Sequence, residues 1–222
     1  MKGAGGQIQG KRKRQEDAWR LEQFDEDEVL AVVADGLGGH PAGDVASREA
    51  VREFVEQFGA RRAIGTKSPR QWLEESTKAT DAALKRMAHE QRRLREMATT
   101  LVVLYVRGAE FWAVSVGDSY LLLLREQRLL RLNALHTEDG GVTSCLGYNL
   151  SRVDVADRLA VMAGDRFLLA SDGIVTLEDE QVSAFLGDAA DPEGAVIAML
   201  EAVDEAGLPS QDNVTVIALL AE

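Results

Sequence analysis

Residues 29–40 constrain this chain more than any other stretch. Val29 to Ala34 is an unbroken apolar run rich in valine, which reads as a buried strand. It stops on Asp35, and three glycines follow within four residues before His40 and Pro41. A carboxylate at the end of a rigid strand, beside backbone without side chains, can hold a metal ion while glycines let carbonyls and a bulky anion approach. Taken alone, the stretch is equally a tight turn after a strand.

The remaining order of elements restricts the fold. Ala18 to Leu21 reads as a strand, joined to Val29–Ala34 through the acidic turn Asp25-Glu26-Asp27. Apolar residues at helical spacing predict a helix from Pro41 to a stop at Gly59. A second helix is predicted from Pro69 to about Arg95. Short strands follow at 98–106, 110–116, 120–124 and 129–132, then a glycine-rich loop at 133–150 and a buried strand at 166–170. Helices near 178–187 and 192–206 precede a last strand at 213–220. Paired helices between groups of hairpin strands point to antiparallel sheets covered by helices, not to alternating parallel units. At 222 residues, without repeat or linker, a single domain over 1–222 is expected.

Composition excludes several classes. A net charge of −12 argues against a nucleic-acid partner, although Lys11 to Arg14 is a local basic cluster. No apolar run approaches the length of a membrane span. One cysteine, Cys145, allows no internal disulfide, and the N-terminus lacks the apolar core of a signal peptide, so a cytoplasmic protein is expected. Cys145 has no arginine at the Cys-x5-Arg spacing of a cysteine phosphatase, since position 151 is serine. Gly59 to Gly65 does not have the spacing of a P-loop.

Acidic residues recur at strand ends. Glu16 and Asp17 begin a strand, Asp35 and Asp172 end strands before a glycine, Asp212 precedes one, and Asp118 sits in a hairpin turn. Carboxylates gathered at one sheet edge repel and need cations. Hard oxygen donors without cysteine or paired histidine suit Mg²⁺ or Mn²⁺. Two such ions roughly 3.5–4 Å apart acidify a water between them. Arg12 offers a planar fork for a phosphate dianion, and His40 a proton for a leaving oxygen. The combination points to phosphoester hydrolysis.

The set Arg12-x-x-Gln15-Glu16-Asp17, Asp35-Gly36-x-Gly38-Gly39-His40, Gly117-Asp118-Ser119, Ser171-Asp172-Gly173 and Asp212-Asn213, in that order, resembles the metal-dependent, protein phosphatase 2C-like serine/threonine phosphatases. The resemblance runs from about Gly10 to Leu220. It implies an α+β fold, a four-layer αββα sandwich of two stacked antiparallel sheets flanked by pairs of helices. It implies Mn²⁺ or Mg²⁺, two ions per site, with Asp35 bridging both, the Gly36 carbonyl on one, Asp172 and Asp212 on the other, and Glu16 and Asp17 acting directly or through water. It implies a third ion at Asp118, as in bacterial members, Arg12 as the phosphate clasp and His40 as general acid. The implied substrates are phosphorylated proteins, with the enzyme opposing a serine/threonine kinase; a monomer is the default expectation, not one drawn from the resemblance. The alternative is a phosphatase-like regulatory domain that binds phosphoproteins with weak turnover. An acidic calcium-binding domain would leave Arg12 and His40 without a role.

The sequence departs from the family pattern in three places. Gln15 stands for asparagine, and Tyr120 for the arginine that usually follows Gly-Asp-Ser. The flap is much reduced, because Leu135–Asp139 is followed almost at once by Cys145-Leu146-Gly147. A more open site is expected.

Overall fold

Strand β3 (Glu28–Asp35) is buried over all but its last residue, as its valine-rich sequence requires. In the computed structural model, which describes residues 1–40 and 42–221, β3 lies inside one of two five-stranded antiparallel sheets. Its neighbours are β2 (Asp17–Asp25) and β4 (Leu101–Arg107), and the sheet continues through β5 (Glu110–Val116) to β10 (Asp154–Ala160). The second sheet runs β1 (Lys2–Ile8), β12 (Val214–Leu220), β11 (Arg166–Ala170), β6 (Tyr120–Arg125) and β7 (Arg128–Arg131). A two-stranded hairpin, β8 (Thr137–Glu138) and β9 (Gly141–Val142), stands apart within the segment expected as a loop.

Three apolar clusters mark the interfaces between layers. One, with Val29, Val33, Phe111, Phe167 and Ile217, fills the space between the sheets. A second packs α1 (Gly43–Ile64) and α2 (Pro69–Glu90) on the first sheet through Phe54, Phe58, Trp72 and Tyr105. The third packs α3 (Asp179–Asp188) and α4 (Pro192–Ala206) on the second sheet through Leu186, Val196, Met199 and Leu168. This is the expected four-layer α+β sandwich.

Several boundaries differ from the sequence reading. The predicted helix start at Pro41 lies outside the described residues. Helix α1 does not stop at Gly59, where an added Cβ would meet nothing within 4 Å, but at Gly65, whose left-handed backbone (φ 69°) returns its N–H to the Arg61 carbonyl. Helix α2 ends at Glu90, and a short 3₁₀ turn over Arg92–Leu94 buries Leu94. Residues before Leu101 are not in the strand: Thr99 instead bridges Gly36 and Leu146. Strands β1 and β10 fall where no strand was predicted. Among the described residues no helix is long and apolar enough to cross a membrane.

Candidate active site

The adjacent ends of β2 and β3 define the floor of the site. Asp17 and Asp35 are register partners, and the Gly36 N–H donates to the Glu16 carbonyl at 3.0 Å. Gly36 tolerates no side chain, since a Cβ there would lie 2.4 Å from the Gly43 carbonyl oxygen and 2.7 Å from that of Glu16. The Asp35 backbone is clamped from β4's approach: Thr100 Oγ1 accepts from its N–H at 2.9 Å, and Thr99 Oγ1 donates to its carbonyl at 2.8 Å.

The second sheet delivers the other acids to the same edge. Asp172 opens a 3₁₀ turn after β11, and Asp212 lies just before β12. Gly173 is required there because a Cβ would stand 2.1 Å from the Asn213 carbonyl oxygen. Asn213 ties three segments together. Its Oδ1 accepts from the Glu16 N–H at 2.8 Å, and its Nδ2 donates to the carbonyls of Gln9 (2.7 Å) and Arg14 (3.0 Å).

Arg12, Glu16, Asp35, Gly36, His40, Asp118, Asp172 and Asp212 share one cavity of about 510 Å³. All but one of the predicted site residues therefore meet there. The exception is Asp17, which lies behind Asp35 and is buried, with Ser171 Oγ donating to its Oδ2 at 2.8 Å. The shortened flap still reaches the cavity, because Gly140, Gly141 and Val142 of the β8–β9 turn form part of its wall.

Electrostatics confirm that the acids crowd one another. Burial first, then the Asp17, Asp172 and Asp118 charges, hold the Asp35 carboxyl well above the usual carboxylate range. Asp17 and Asp118 are each pushed up to about 6, chiefly by burial, with Asp172 adding repulsion. Asp172 is raised by burial and by Asp212, and Glu16 by burial and by Asp44. Among the described residues, no three His, Cys, Asp or Glu side chains close on one point as ligands do around an ion. The donor set nonetheless fits hard divalent cations in kind: it is all oxygen, mutually repulsive, and includes the buried Asp17 Oδ1, which has no hydrogen-bond donor.

The two proton- and phosphate-handling groups are oriented by single contacts. The Arg12 guanidinium pairs with Asp212, which holds it over the acids. His40 Nδ1 lies 2.7 Å from the Glu96 carbonyl, so it must be the donor there, which leaves Nε2 for the cavity side. Glu96 adopts a left-handed backbone (φ 63°) to present that carbonyl. The Tyr148 ring stands edge-on to His40 with centroids 5.2 Å apart.

Sequence reading missed the supporting groups. Ser171 and Asn213 flank aspartates already singled out, so their positions were visible in the motifs though their bonds were not. His136 carried no such signal. It is buried, accepts from the Gly117 N–H at Nδ1 (3.1 Å) and meets Asp154 at Nε2 (3.1 Å), next to Asp118.

Two antiparallel sheets with helix pairs outside and an acidic cleft at one sheet edge define a metal-dependent phosphatase class. The sequence profile of protein phosphatase 2C matches residues 5–214, and the chain belongs to that family. The serine/threonine phosphatase stp of Listeria welshimeri is 26% identical over 229 residues, covering 93% of this chain and 90% of that protein. The serine/threonine protein phosphatase PstP of Mycobacterium tuberculosis is 29% identical over 210 residues, which span 85% of this chain and 39% of PstP. Among solved structures, PppA, a key regulatory component of T6SS in Pseudomonas aeruginosa, superposes with a TM-score of 0.79 at 29% identity, over 100% of this chain and 97% of that one. A bacterial serine phosphatase carrying a point mutation gives 0.88 at 25%, over 100% and 99%.

Proposed function

We propose that this chain is a single-domain Mn²⁺- or Mg²⁺-dependent serine/threonine protein phosphatase that hydrolyses phosphoserine and phosphothreonine on proteins. The observation that carries the reading is the meeting of Asp35, Asp118, Asp172 and Asp212 with Arg12 and His40 in one cavity. Named relatives that are serine/threonine phosphatases support the substrate class. We further propose that the protein is cytoplasmic and monomeric and opposes a serine/threonine kinase.

Asp35, the Gly36 carbonyl, Asp172 and Asp212 would hold two cations, with Glu16 and Asp17 contributing directly or through water and Asp118 holding a third. Bound there, divalent cations supply an acidified water and offset phosphate charge. The chain's own residues do the rest. Arg12, fixed by Asp212, presents its fork to the phosphoryl oxygens. His40, with Nδ1 committed to Glu96, carries the transferable proton on Nε2 and gives it to the departing serine or threonine oxygen. The glycines at 36, 38 and 39 leave room for the phosphoryl group. Retention of every one of these side chains argues against the weak regulatory reading.

Purified protein assayed with a chromogenic aryl phosphate and a phosphoserine peptide in Mn²⁺, and again in chelator, tests this. Metal-dependent phosphate release from both is expected. His40→Ala should slow the peptide by roughly 10²–10⁴-fold and the aryl ester less, because a good leaving group needs less protonation. No metal-dependent release from the wild type would overturn the proposal.

A further inference from the structure

The loop between β1 and β2 carries four successive cations, Lys11, Arg12, Lys13 and Arg14, all exposed, in a chain of net charge −12. Arg12 belongs to the cavity and pairs with Asp212. Lys11, Lys13 and Arg14 make no salt bridge and no side-chain hydrogen bond among the described residues, although 37 acidic residues are available. Elsewhere acids take up arginines within single helices, as Glu49, Glu53 and Glu56 do for Arg52. Exposed cations with no fixed partner keep their donors available to an approaching anion.

The loop is not loose. Lys11 N–H donates to the Gln211 carbonyl at 2.9 Å, Gln9 Nε2 to the Arg12 carbonyl at 2.7 Å, and Asn213 Nδ2 to the Arg14 carbonyl at 3.0 Å. Its backbone is thereby stapled to the segment that carries Asp212. Asn213, which holds the Arg14 carbonyl, itself lines the cavity, so the loop's end sits against the cavity wall.

We propose that Lys11, Lys13 and Arg14 form a substrate-selecting rim that favours phosphoproteins with further anionic side chains around the phosphoresidue. The proposal rests on the phosphatase reading above. The position of the cluster, beside the phosphate-binding Arg12, favours a phosphopeptide over nucleic acid. The anions are carboxylates or additional phosphates, and both present oxygens to lysine and arginine.

The test compares phosphoserine peptides flanked by glutamate, by a second phosphoserine, or by alanine. The proteins are the wild type and the triple variant Lys11→Ser/Lys13→Ser/Arg14→Ser, which keeps every backbone anchor. Wild-type kcat/KM should be about tenfold higher for the anionic peptides at low salt, the sum of three exposed ion pairs, and the gap should close as salt rises. The variant should lose the gap with aryl-phosphate turnover unchanged. Unchanged discrimination in the variant would overturn the proposal, as would a wild-type preference for the alanine peptide. Binding of the same peptides as non-hydrolysable phosphonates, read by anisotropy in Mn²⁺, separates this from the phosphatase reading: absent turnover with a persistent, variant-sensitive binding gap supports the rim. Equal binding of all three peptides overturns it, as does tighter binding of a DNA duplex than of the glutamate peptide.

Discussion

Asp17 and Asp35 face each other as register partners on β2 and β3, and each carboxylate has the Asp172 charge as a further repulsive neighbour. Asp17 is pushed up to about 6 and Asp35 well above its ordinary value, in both cases mainly because burial disfavours the charge. A folded-state pKa above the unfolded value means that the folded form holds protons that the unfolded chain has lost. Stability therefore falls as pH rises from about 4 through about 6.

Metal-free protein should accordingly melt at lower temperature at pH 7 than at pH 5, by an amount on the order of 1–3 kcal/mol in stability. Saturating Mn²⁺ should abolish this slope, because cations replace the missing protons. Thermal unfolding across that range, with chelator and with Mn²⁺, reads both. A chelated protein that gains stability from pH 5 to 7 would show that the cluster is not the source of the strain.

Arg12 and Asp212 test the phosphate clasp. The pair runs through one guanidinium nitrogen, Nη2, so Asp212 orients the group while its other N–H donors stay available to a phosphoryl oxygen. Arg12→Ala should lower kcat/KM by roughly 10- to 100-fold, the worth of a charge-assisted hydrogen bond, mainly through KM. Arg12→Lys should recover only part of this, since an ammonium cannot fork. Steady-state kinetics on a phosphoserine peptide decide it, and an unchanged KM in Arg12→Ala would place the phosphate elsewhere.

How far the sequence carried depends on what each element buries. Strand β3 announced itself because continuous valine and alanine can only be buried, and the site motifs because Asp-Gly at a strand end is chemically specific. Strand β1 did not, because its Gly3, Gly5 and Gly6 have low strand propensity. Gly5 is there for packing: a Cβ would come within 2.6 Å of the Trp19 ring. Strand β10 is an exposed edge broken by a bulge between Ala156 and Leu159, with Arg158 at φ 49°, so no alternating pattern survives. The inward position of Asp17 was equally hidden, because adjacent residues of a strand point to opposite faces and only the pairing shows which one meets solvent.

Glu28, at the far end of β3 from Asp35, shows how a buried acid is stabilised without a metal. Arg62 grips it from α1 with Nε 2.6 Å from Oε1, and the Tyr105 hydroxyl donates to the same oxygen. The Arg62 bond, first among the causes, holds the Glu28 carboxyl below its usual range. A depressed pKa contributes stability above the unfolded value, lost as pH falls through the folded one. Arg62→Leu should cost about 2–4 kcal/mol at pH 7, less below pH 4, and leave metal-dependent turnover intact. Denaturant titrations at the two pH values measure it; an equal loss at both would mean packing, not charge, is responsible.

His136 joins the reduced flap to the Asp118 turn. Nδ1 accepts from the Gly117 N–H, so the ring proton sits on Nε2 and is donated to Asp154, which Arg152 grips with both oxygens at 2.9 and 3.0 Å. The His136 carbonyl also accepts from the Thr143 N–H at 2.8 Å, closing the base of the β8–β9 hairpin whose turn lines the cavity. His136 thus touches both, its side chain the Gly117–Asp118 turn and its backbone carbonyl the cavity-wall hairpin. His136→Ala orphans a buried N–H and should cost about 1–3 kcal/mol, with Asp118 no longer fixed. His136→Asn places an amide oxygen near Nδ1 and should restore part of the stability. If Asp118 helps hold a cation, His136→Ala should also need more Mn²⁺ for half-maximal thermal stabilisation, and Asn should reverse part of that shift. A variant that melts lower yet titrates with Mn²⁺ like the wild type would confine His136 to folding.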